Sequence, residues 1–325
     1  MRLYRHSRSL PPEARGAVLA IGNFDGLHRG HRAVIAAARR EAAAQGRASG
    51  VLTFEPHPRQ VFEPELPPFR LTPFRTKVRM LQGLGLDLLY VLAFRKALYS
   101  LPAEAFVERI LVEGLGVGHV VVGDNFHFGA GRSGDPLSLQ RSGAALGFGA
   151  TVIGRAGGAG GAYSSTALRR RLRDGDMAGA AAILGQPWEL RGRVLHGARR
   201  GRALGMPTAN IDLGTALRPA YGVYAVRAAL DDPGRPSWHA GVANLGISPM
   251  FAYDRPLLEA HLFDFAGDLY GRRLRVQLVE RLRPERSFDG LPALMAQMQA
   301  DGEAARQALA RGKCPAATGC RDMGR

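Results

Sequence analysis

Cysteine is nearly absent from this chain of 325 residues: Cys314 and Cys320 are the only two, both close to its C-terminus. No disulfide framework can staple such a fold, and a pair with no histidine or further cysteine beside it is weak ground for a metal site. Lysine is almost as scarce. Lys77, Lys96 and Lys313 stand against 41 arginines among the 44 basic side chains, and with 28 acidic ones the formal charge is +16. So one-sided an Arg/Lys ratio, in a chain rich in Ala and Gly, is what a GC-rich genome writes into many proteins, and part of the charge is compositional. The arginines form no run longer than Arg169-Arg170-Arg171, and no aromatic ladder is interleaved with them as in grooves for single-stranded nucleic acid. Small phosphate-bearing molecules suit a basic protein equally well. No apolar run reaches the roughly 18 residues that cross a bilayer, and Ala17–Ile21 is too short for the core of a signal peptide. A cytoplasmic location is expected. There is also no Gly-x-x-x-x-Gly-Lys-Ser/Thr string, which excludes a P-loop as the means of holding phosphate.

What is present fits two globular domains, with 46% hydrophobic and 22% charged residues. The stretch richest in chemistry is Ala17–His31, Ala-Val-Leu-Ala-Ile-Gly-Asn-Phe-Asp-Gly-Leu-His-Arg-Gly-His. Its apolar start, without alternation, predicts a strand covered on both faces, and the Ala/Arg-rich run to Gln45, closed by Gly46, predicts a helix. Between them Gly22, Gly26 and Gly30 permit backbone angles and close approaches that let a phosphate meet the free N–H groups of the helix start. His28 and His31 would share one face of the first helical turn, pointing at that anion. By itself such a pair is more often polar surface.

Further buried strands are predicted at Gly50–Phe54, Asp87–Leu92 and His119–Val122, with helical stretches at Thr76–Leu84 and from Pro102 to Val112. That alternation means βαβ units and a parallel sheet. Glu55-Pro56-His57-Pro58 reads as an exposed loop, since proline forbids helix continuation. His57 stands at a strand's C-terminal end, where ligands gather in open α/β sheets. The fourth strand runs into the glycine-bearing loop Gly123–Asp135. Gly154–Gly161 is of low complexity and leads to Tyr163-Ser164-Ser165-Thr166-Ala167-Leu168-Arg169, where the hydroxyls are first of all an N-cap.

After Gln186-Pro187 the texture changes. Trp188–Leu195, Tyr221–Leu230, His239–Leu245, Pro256–Phe263 and Leu274–Leu282 are closely spaced strands with turns between them. They predict an antiparallel barrel or sandwich, followed by an amphipathic helix with Leu291, Leu294, Met295 and Met298 on a common face. Gly201–Asn210 reads as a loop that presents groups. Thr208 and Asn210 offer oxygens of the kind Mg²⁺ accepts beside phosphates, although a turn held by Thr and Asn accounts for them as well. In Leu257–Phe263, alternation puts Leu258, Ala260 and Leu262 on one face and Glu259 with His261 on the other, where Glu259 alone is a charge on a wet face.

His28-Arg29-Gly30-His31 is similar to the His-x-Gly-His motif of the nucleotidylyltransferase superfamily, and the whole string Gly22–His31 resembles the opening motif of the bacterial bifunctional riboflavin kinase/FMN adenylyltransferase (FAD synthetase) family. Thr53-Phe-Glu-Pro-His57-Pro58, Ser164-Ser165-Thr166-Ala-Leu-Arg169, Gly205-Met206-Pro207-Thr208-Ala209-Asn210, Gly241–Gly246, Glu259–Phe265 and Asp268–Gly271 carry the same resemblance, which runs from about Ala17 to Leu309. Departures are His127, where many members have Arg, and Met206 for the usual Phe.

The resemblance implies a Rossmann-like nucleotidylyltransferase domain with a parallel sheet over residues 1–186 and an antiparallel flavokinase β-barrel with a final helix over 187–310. Residues 311–325 are expected to be a disordered tail. The first domain would adenylylate FMN with ATP, giving FAD and pyrophosphate; the second would phosphorylate riboflavin to FMN. In the first, His28 and His31 would be catalytic; Gly22, Asn23, Phe24, Asp25, Gly26, Ser164, Ser165, Thr166 and Arg169 would bind ATP and its outer phosphates; His57, Asn125 and Arg132 would lie on the flavin side. In the second, Gly201, Gly205, Thr208 and Asn210 would hold ATP with Mg²⁺, Thr208 and Asn210 as the metal's ligands, and Glu259 would be the general base toward the ribityl hydroxyl. The expected partners are these small molecules, with no nucleic acid or membrane and with a homo-oligomer left open. The rival readings are a nucleotidyltransferase for another phosphorylated acceptor, with a non-catalytic barrel, and a basic RNA-binding protein.

Overall fold

The computed structural model describes residues 1–158, 161–196, 206–232, 234, 236–247 and 256–311, and the chain divides into two units, Met1–Leu168 and Arg169–Arg325. The first is built on β1 (Arg2–Tyr4), β2 (Val18–Ile21), β3 (Ser49–Glu55), β4 (Leu88–Ala93), β5 (His119–Gly123) and β6 (Gly149–Ile153). These pair in parallel in the order β1-β4-β3-β2-β5-β6. All four residues of β2 are buried, as expected of a strand covered on both faces. Leu19 and Ile21 join one core with Leu52, Phe106, Leu111 and Val122; Val18 and Ala20 join the other with Ile35, Ala38, Leu81 and Val121. The helices of this unit are α1 (Arg29–Ala44), α2 (Pro58–Phe62), α3 (Phe74–Gln82), α4 (Lys96–Tyr99), α5 (Ala103–Phe106) and α6 (Pro136–Leu146). α1 and α3 lie on one face of the sheet, and α5, which runs on in π-type turns to Leu115, on the other. A short hairpin, β7 (Gly157–Gly158) and β8 (Gly161–Ala162), precedes α7 (Ser165–Asp174), which spans the division between the units.

Three expectations need correction here. β1 and β6 were not foreseen: β1 is a short edge strand with two exposed residues, and β6 opens on glycine and is half-buried throughout, so neither carries the apolar run of the interior strands. Glu55–Pro58 is not an exposed loop. Pro58 takes the first position of α2, where a missing N–H costs nothing, and His57 is the buried N-cap. Finally, His28 precedes α1 as its N-cap, with extended backbone, instead of lying in the first turn.

The second unit opens with α8 (Met177–Leu184), then β9 (Trp188–Leu195), β10 (Ala209–Asp212), β11 (Gly222–Leu230), β12 (His239–Ile247), β13 (Pro256–Leu262) and β14 (Arg273–Arg283). These strands close an antiparallel barrel in the order β10-β13-β12-β11-β14-β9, which decides between barrel and sandwich. Ladder partners Ala209, Ala260 and Ala243, and Ile211, Leu258 and Leu245, form buried rows directed inward. Asn210 lies in β10, not in a loop: it pairs with Glu259 on one side and Leu195 on the other. The last helix, α9 (Leu291–Arg311), does not pack by the predicted face. Leu291 and Met295 are exposed, and α9 docks by Gly302, Ala305, Ala308 and Leu309 against Val223, Ala225, Val242 and Phe263. Small residues let the helix approach closely, and Asp301 fixes its register through paired bonds from Arg283 at 2.9 and 2.7 Å. Gly201, Gly205, Cys314, Cys320 and the expected tail lie outside the described residues, apart from Arg311, which ends α9. Among those described, no helix is long and apolar enough to cross a membrane.

Candidate active sites

The order in which strands are added reverses at the β2–β5 junction, since the chain builds outward from β2 through β3 and β4 and then returns to β2's other side. Ligands of open α/β sheets bind outside the carboxyl ends of the strands at such a switch point. The Gly22 turn leaves β2 there, His57 follows β3, and the Asn125 loop follows β5, all on the same edge.

The His28 Nδ1 accepts the His31 N–H at 3.3 Å, capping a helix of 16 residues. An imidazole accepting at Nδ1 carries its hydrogen at Nε2, which is then a donor for whatever lies beyond the cap. The two rings stack with centroids 3.7 Å apart, and the Phe24 ring stands edge-on to His31 at 5.3 Å. Gly30 makes the stack possible, because a Cβ there would come within 3.1 Å of His28 Nδ1 and 3.2 Å of the Tyr163 carbonyl. Gly26 is left-handed, with φ +92°; Phe24 and Leu27 are held in the same region at φ 48° and 45° despite their side chains. Strain of about 1–3 kcal/mol per such residue persists only where the surroundings over-determine the backbone.

Those surroundings are visible. The Asp25 carboxylate accepts from the backbone N–H groups of Leu71 (3.2 Å) and Thr72 (2.9 Å) and from the Thr72 hydroxyl (3.2 Å), which in turn accepts from Gly26 N–H at 2.9 Å. Ser165 donates its hydroxyl to the Asp25 carbonyl at 2.7 Å, and Ser164 caps α7 by accepting from Ala167 N–H at 3.1 Å. The predicted N-cap is thus Ser164, Ser165 is a tether, and Thr166 is the exposed hydroxyl of the three. Arg169 follows on the same helix and is buried. The Asn23 carbonyl accepts from Lys77 Nζ at 3.0 Å and from the Thr53 hydroxyl at 3.3 Å. Lys77 also reaches Glu55 at 3.0 Å, and Arg70 forks onto Glu55 at 3.0 and 2.6 Å. Burial opposes the Glu55 charge, but Arg70 and Lys77 outweigh it and hold the carboxyl below its usual range. Burial also pulls the Lys77 ammonium below its usual range, against the pull of Glu55.

His57 accepts the Arg59 N–H at 3.1 Å and meets Phe69 edge-on at 5.2 Å. Asn125 and Arg132 are exposed on the loop after β5, Arg132 with φ 61°.

In the barrel, Glu259 is the ladder partner of both Asn210 and Asn244, so the three form one row across β10, β13 and β12. Directly opposed residues of antiparallel strands point to the same side, here away from the alanine and leucine rows. Asn210 is nonetheless buried, and Asn244 donates to Glu285 at 3.1 Å. His261, on the same face of β13, donates its Nδ1–H to the Pro207 carbonyl at 2.9 Å and so holds the segment leading to Thr208. Thr208 and Asn210 supply a hydroxyl and an amide oxygen. Among the described residues no cluster of three or more His, Cys, Asp or Glu could cage a metal.

Lys77, Thr72, Arg70 and the tie of His261 were not foreseen. For Lys77 a signal existed: it is one of three lysines in a chain of 41 arginines, and it is wholly buried.

Residues 10–167 match the family model for FAD synthetase and residues 184–309 that for riboflavin kinase. A bifunctional riboflavin kinase/FMN adenylyltransferase from Pseudomonas fluorescens is 46% identical over 94% of this chain and 97% of its own length. The protein of that name from Escherichia coli K12 is 42% identical over the same shares, and that from Bacillus subtilis 35% identical over 90% of this chain and 92% of its own. Among solved structures, a macrolide-efflux protein from Streptococcus pneumoniae superposes with a TM-score of 0.82 at 27% identity, covering 94% of this chain and 98% of that one.

Proposed function

The chain belongs to the bifunctional riboflavin kinase/FMN adenylyltransferase family, and from that premise we propose that its barrel unit phosphorylates riboflavin with ATP and its α/β unit adenylylates the resulting FMN to FAD. The observation that carries this is the presence in one chain of two unlike constellations: a stacked histidine pair capping a helix, and an amide–carboxylate–amide row on a barrel.

In the α/β unit an FMN phosphate oxygen attacks the α-phosphorus of ATP and the bond to the β-phosphate oxygen breaks, releasing pyrophosphate. His28 Nε2–H and His31 face the charge that grows on the α-phosphate, with the N-terminal amides of α1 adding a fixed positive end. The Gly22–Gly26 turn, including Asn23, Phe24 and Asp25, receives the nucleotide, and Thr166 at the start of α7 meets the outer phosphates. The tethers of Ser164 and Ser165 make both positioning groups as well. Arg169 is assigned to the same phosphates by the resemblance alone. His57, Asn125 and Arg132 flank the flavin's approach from β3 and β5.

In the barrel the riboflavin hydroxyl attacks the γ-phosphorus, its proton passes to the Glu259 carboxylate, and ADP leaves. Such transfers demand position and charge neutralisation more than covalent help. Thr208 and Asn210 would hold Mg²⁺ together with the ATP phosphates, and Gly201 and Gly205 are assigned to the same nucleotide by the resemblance alone. That ion, when bound, neutralises phosphate charge. A cytoplasmic site of action fits these substrates.

Incubation of the protein with riboflavin, ATP and Mg²⁺, resolved by chromatography, should yield both FMN and FAD. Chelation with EDTA should stop both and added Mg²⁺ restore them. FAD made only from supplied FMN would leave the barrel non-catalytic, and a product from neither flavin would sink the assignment.

A further inference from the structure

The proposed adenylyl-transfer chemistry leaves unused the most deeply buried cation described in the α/β unit. Lys77 is 0% exposed, and its ammonium meets three oxygens: Thr53 Oγ1 at 3.3 Å, Glu55 Oε1 at 3.0 Å and the Asn23 carbonyl at 3.0 Å. Taking an ammonium out of water costs several kcal/mol even after relaxation, and a well-packed apolar side chain often serves stability as well as a buried ion pair does. The charge is therefore better explained by what it touches than by the stability it confers. Two of its partners are side chains of β3, but the third is the carbonyl of the Asn23–Phe24 peptide, where the left-handed turn begins and from which the ring facing His31 hangs. Three hydrogens set tetrahedrally on one nitrogen can converge on three oxygens at one point; the planar fork of a guanidinium cannot. That accounts for a lysine standing here in a chain otherwise given to arginine.

We propose that Lys77 is a positioning residue for adenylyl transfer: anchored on Glu55, its ammonium fixes the Asn23 carbonyl and so holds the Gly22–Gly26 turn in the form that receives the ATP phosphates. This rests on the assignment of that turn to ATP made above. Lys77 acts through the backbone of the turn, so its loss should weaken ATP binding more than FMN binding and should leave riboflavin phosphorylation alone. Thr53 is the second donor to the same carbonyl and shares the task.

The test compares Lys77→Met, which keeps the stem and removes the charge, with Thr53→Val, which is near-isosteric and removes one donor to Asn23. For FMN adenylylation the ATP KM should rise about tenfold in Lys77→Met and about threefold in Thr53→Val, with the FMN KM within about twofold of the parent. A ground-state loosening of the whole unit would instead raise both KM values together and lower kcat, and that result overturns the proposal. So does an unchanged ATP KM in Thr53→Val, the variant that decides the matter if Lys77→Met does not fold. His28→Ala is assayed in parallel. If it still adenylylates FMN, the reading of the site has failed; if it does not, while both other variants keep the parental ATP KM, only the role of Lys77 has failed.

Discussion

His28 does two things that a substitution can separate. Its Nδ1 caps α1 by accepting the His31 N–H, and its Nε2–H is the donor proposed for the α-phosphate. Asparagine is among the best N-caps, whereas alanine cannot cap at all, and the difference is typically about 1 kcal/mol. Both replacements lose the ring stacked on His31, so that contribution cancels when they are compared. For a unit of this size about 1 kcal/mol moves the thermal midpoint by roughly 2–4 °C, and His28→Ala should melt that much below His28→Asn. Catalysis should not follow this order. Removing one preorganised donor to a developing charge costs on the order of 10²–10³ in kcat, and both variants should lose about that much FMN adenylylation. The assay is FAD formation from FMN and ATP, with riboflavin phosphorylation by the same sample as the measure of intact protein. Should His28→Asn adenylylate FMN within about threefold of the parent while His28→Ala fails, the imidazole is a cap and nothing more, and the mechanism needs another donor.

Other outcomes follow from the barrel and from the buried charges. Glu259→Gln and Asn210→Ala should abolish riboflavin phosphorylation and leave adenylylation of supplied FMN intact; normal phosphorylation by Glu259→Gln would remove it as the base. His261→Ala frees the Pro207 carbonyl and should raise the ATP KM of phosphorylation several-fold, with little change in kcat, in steady-state assays. Glu55 is held below its usual range in the fold, so the stability it contributes is present above the unfolded value and lost as pH falls through the lowered one. The α/β unit should therefore melt earlier below about pH 4, and Glu55→Gln should be less stable at neutral pH but flatter across that acid range in circular-dichroism melts.

Much of this architecture could be read from the chain because the signals are local. Val18–Ile21 is buried without alternation, and Leu258, Ala260 and Leu262 alternate with Glu259 and His261 as a half-covered strand must. Where the signal is weak the reading failed: β1 and β6 are edge strands with little apolar burial, and in α9 the larger side chains Leu291 and Met295 drew attention from the alanines that make the contact. The site divides in the same way. Histidines three residues apart announce themselves, whereas the bonds that hold their turn join residues 46, 54 and 140 positions apart, a span no motif encodes.

The burial of Lys77 also makes the chain a reporter of its own breathing. Of only three primary-amine side chains, Lys96 is exposed and Lys77 is sealed, so an acylating reagent marks the first at once and the second only when the α/β unit opens. The mass of a single peptide, followed in time, would thus measure how often the turn before α1 lets go, and whether a nucleotide keeps it shut.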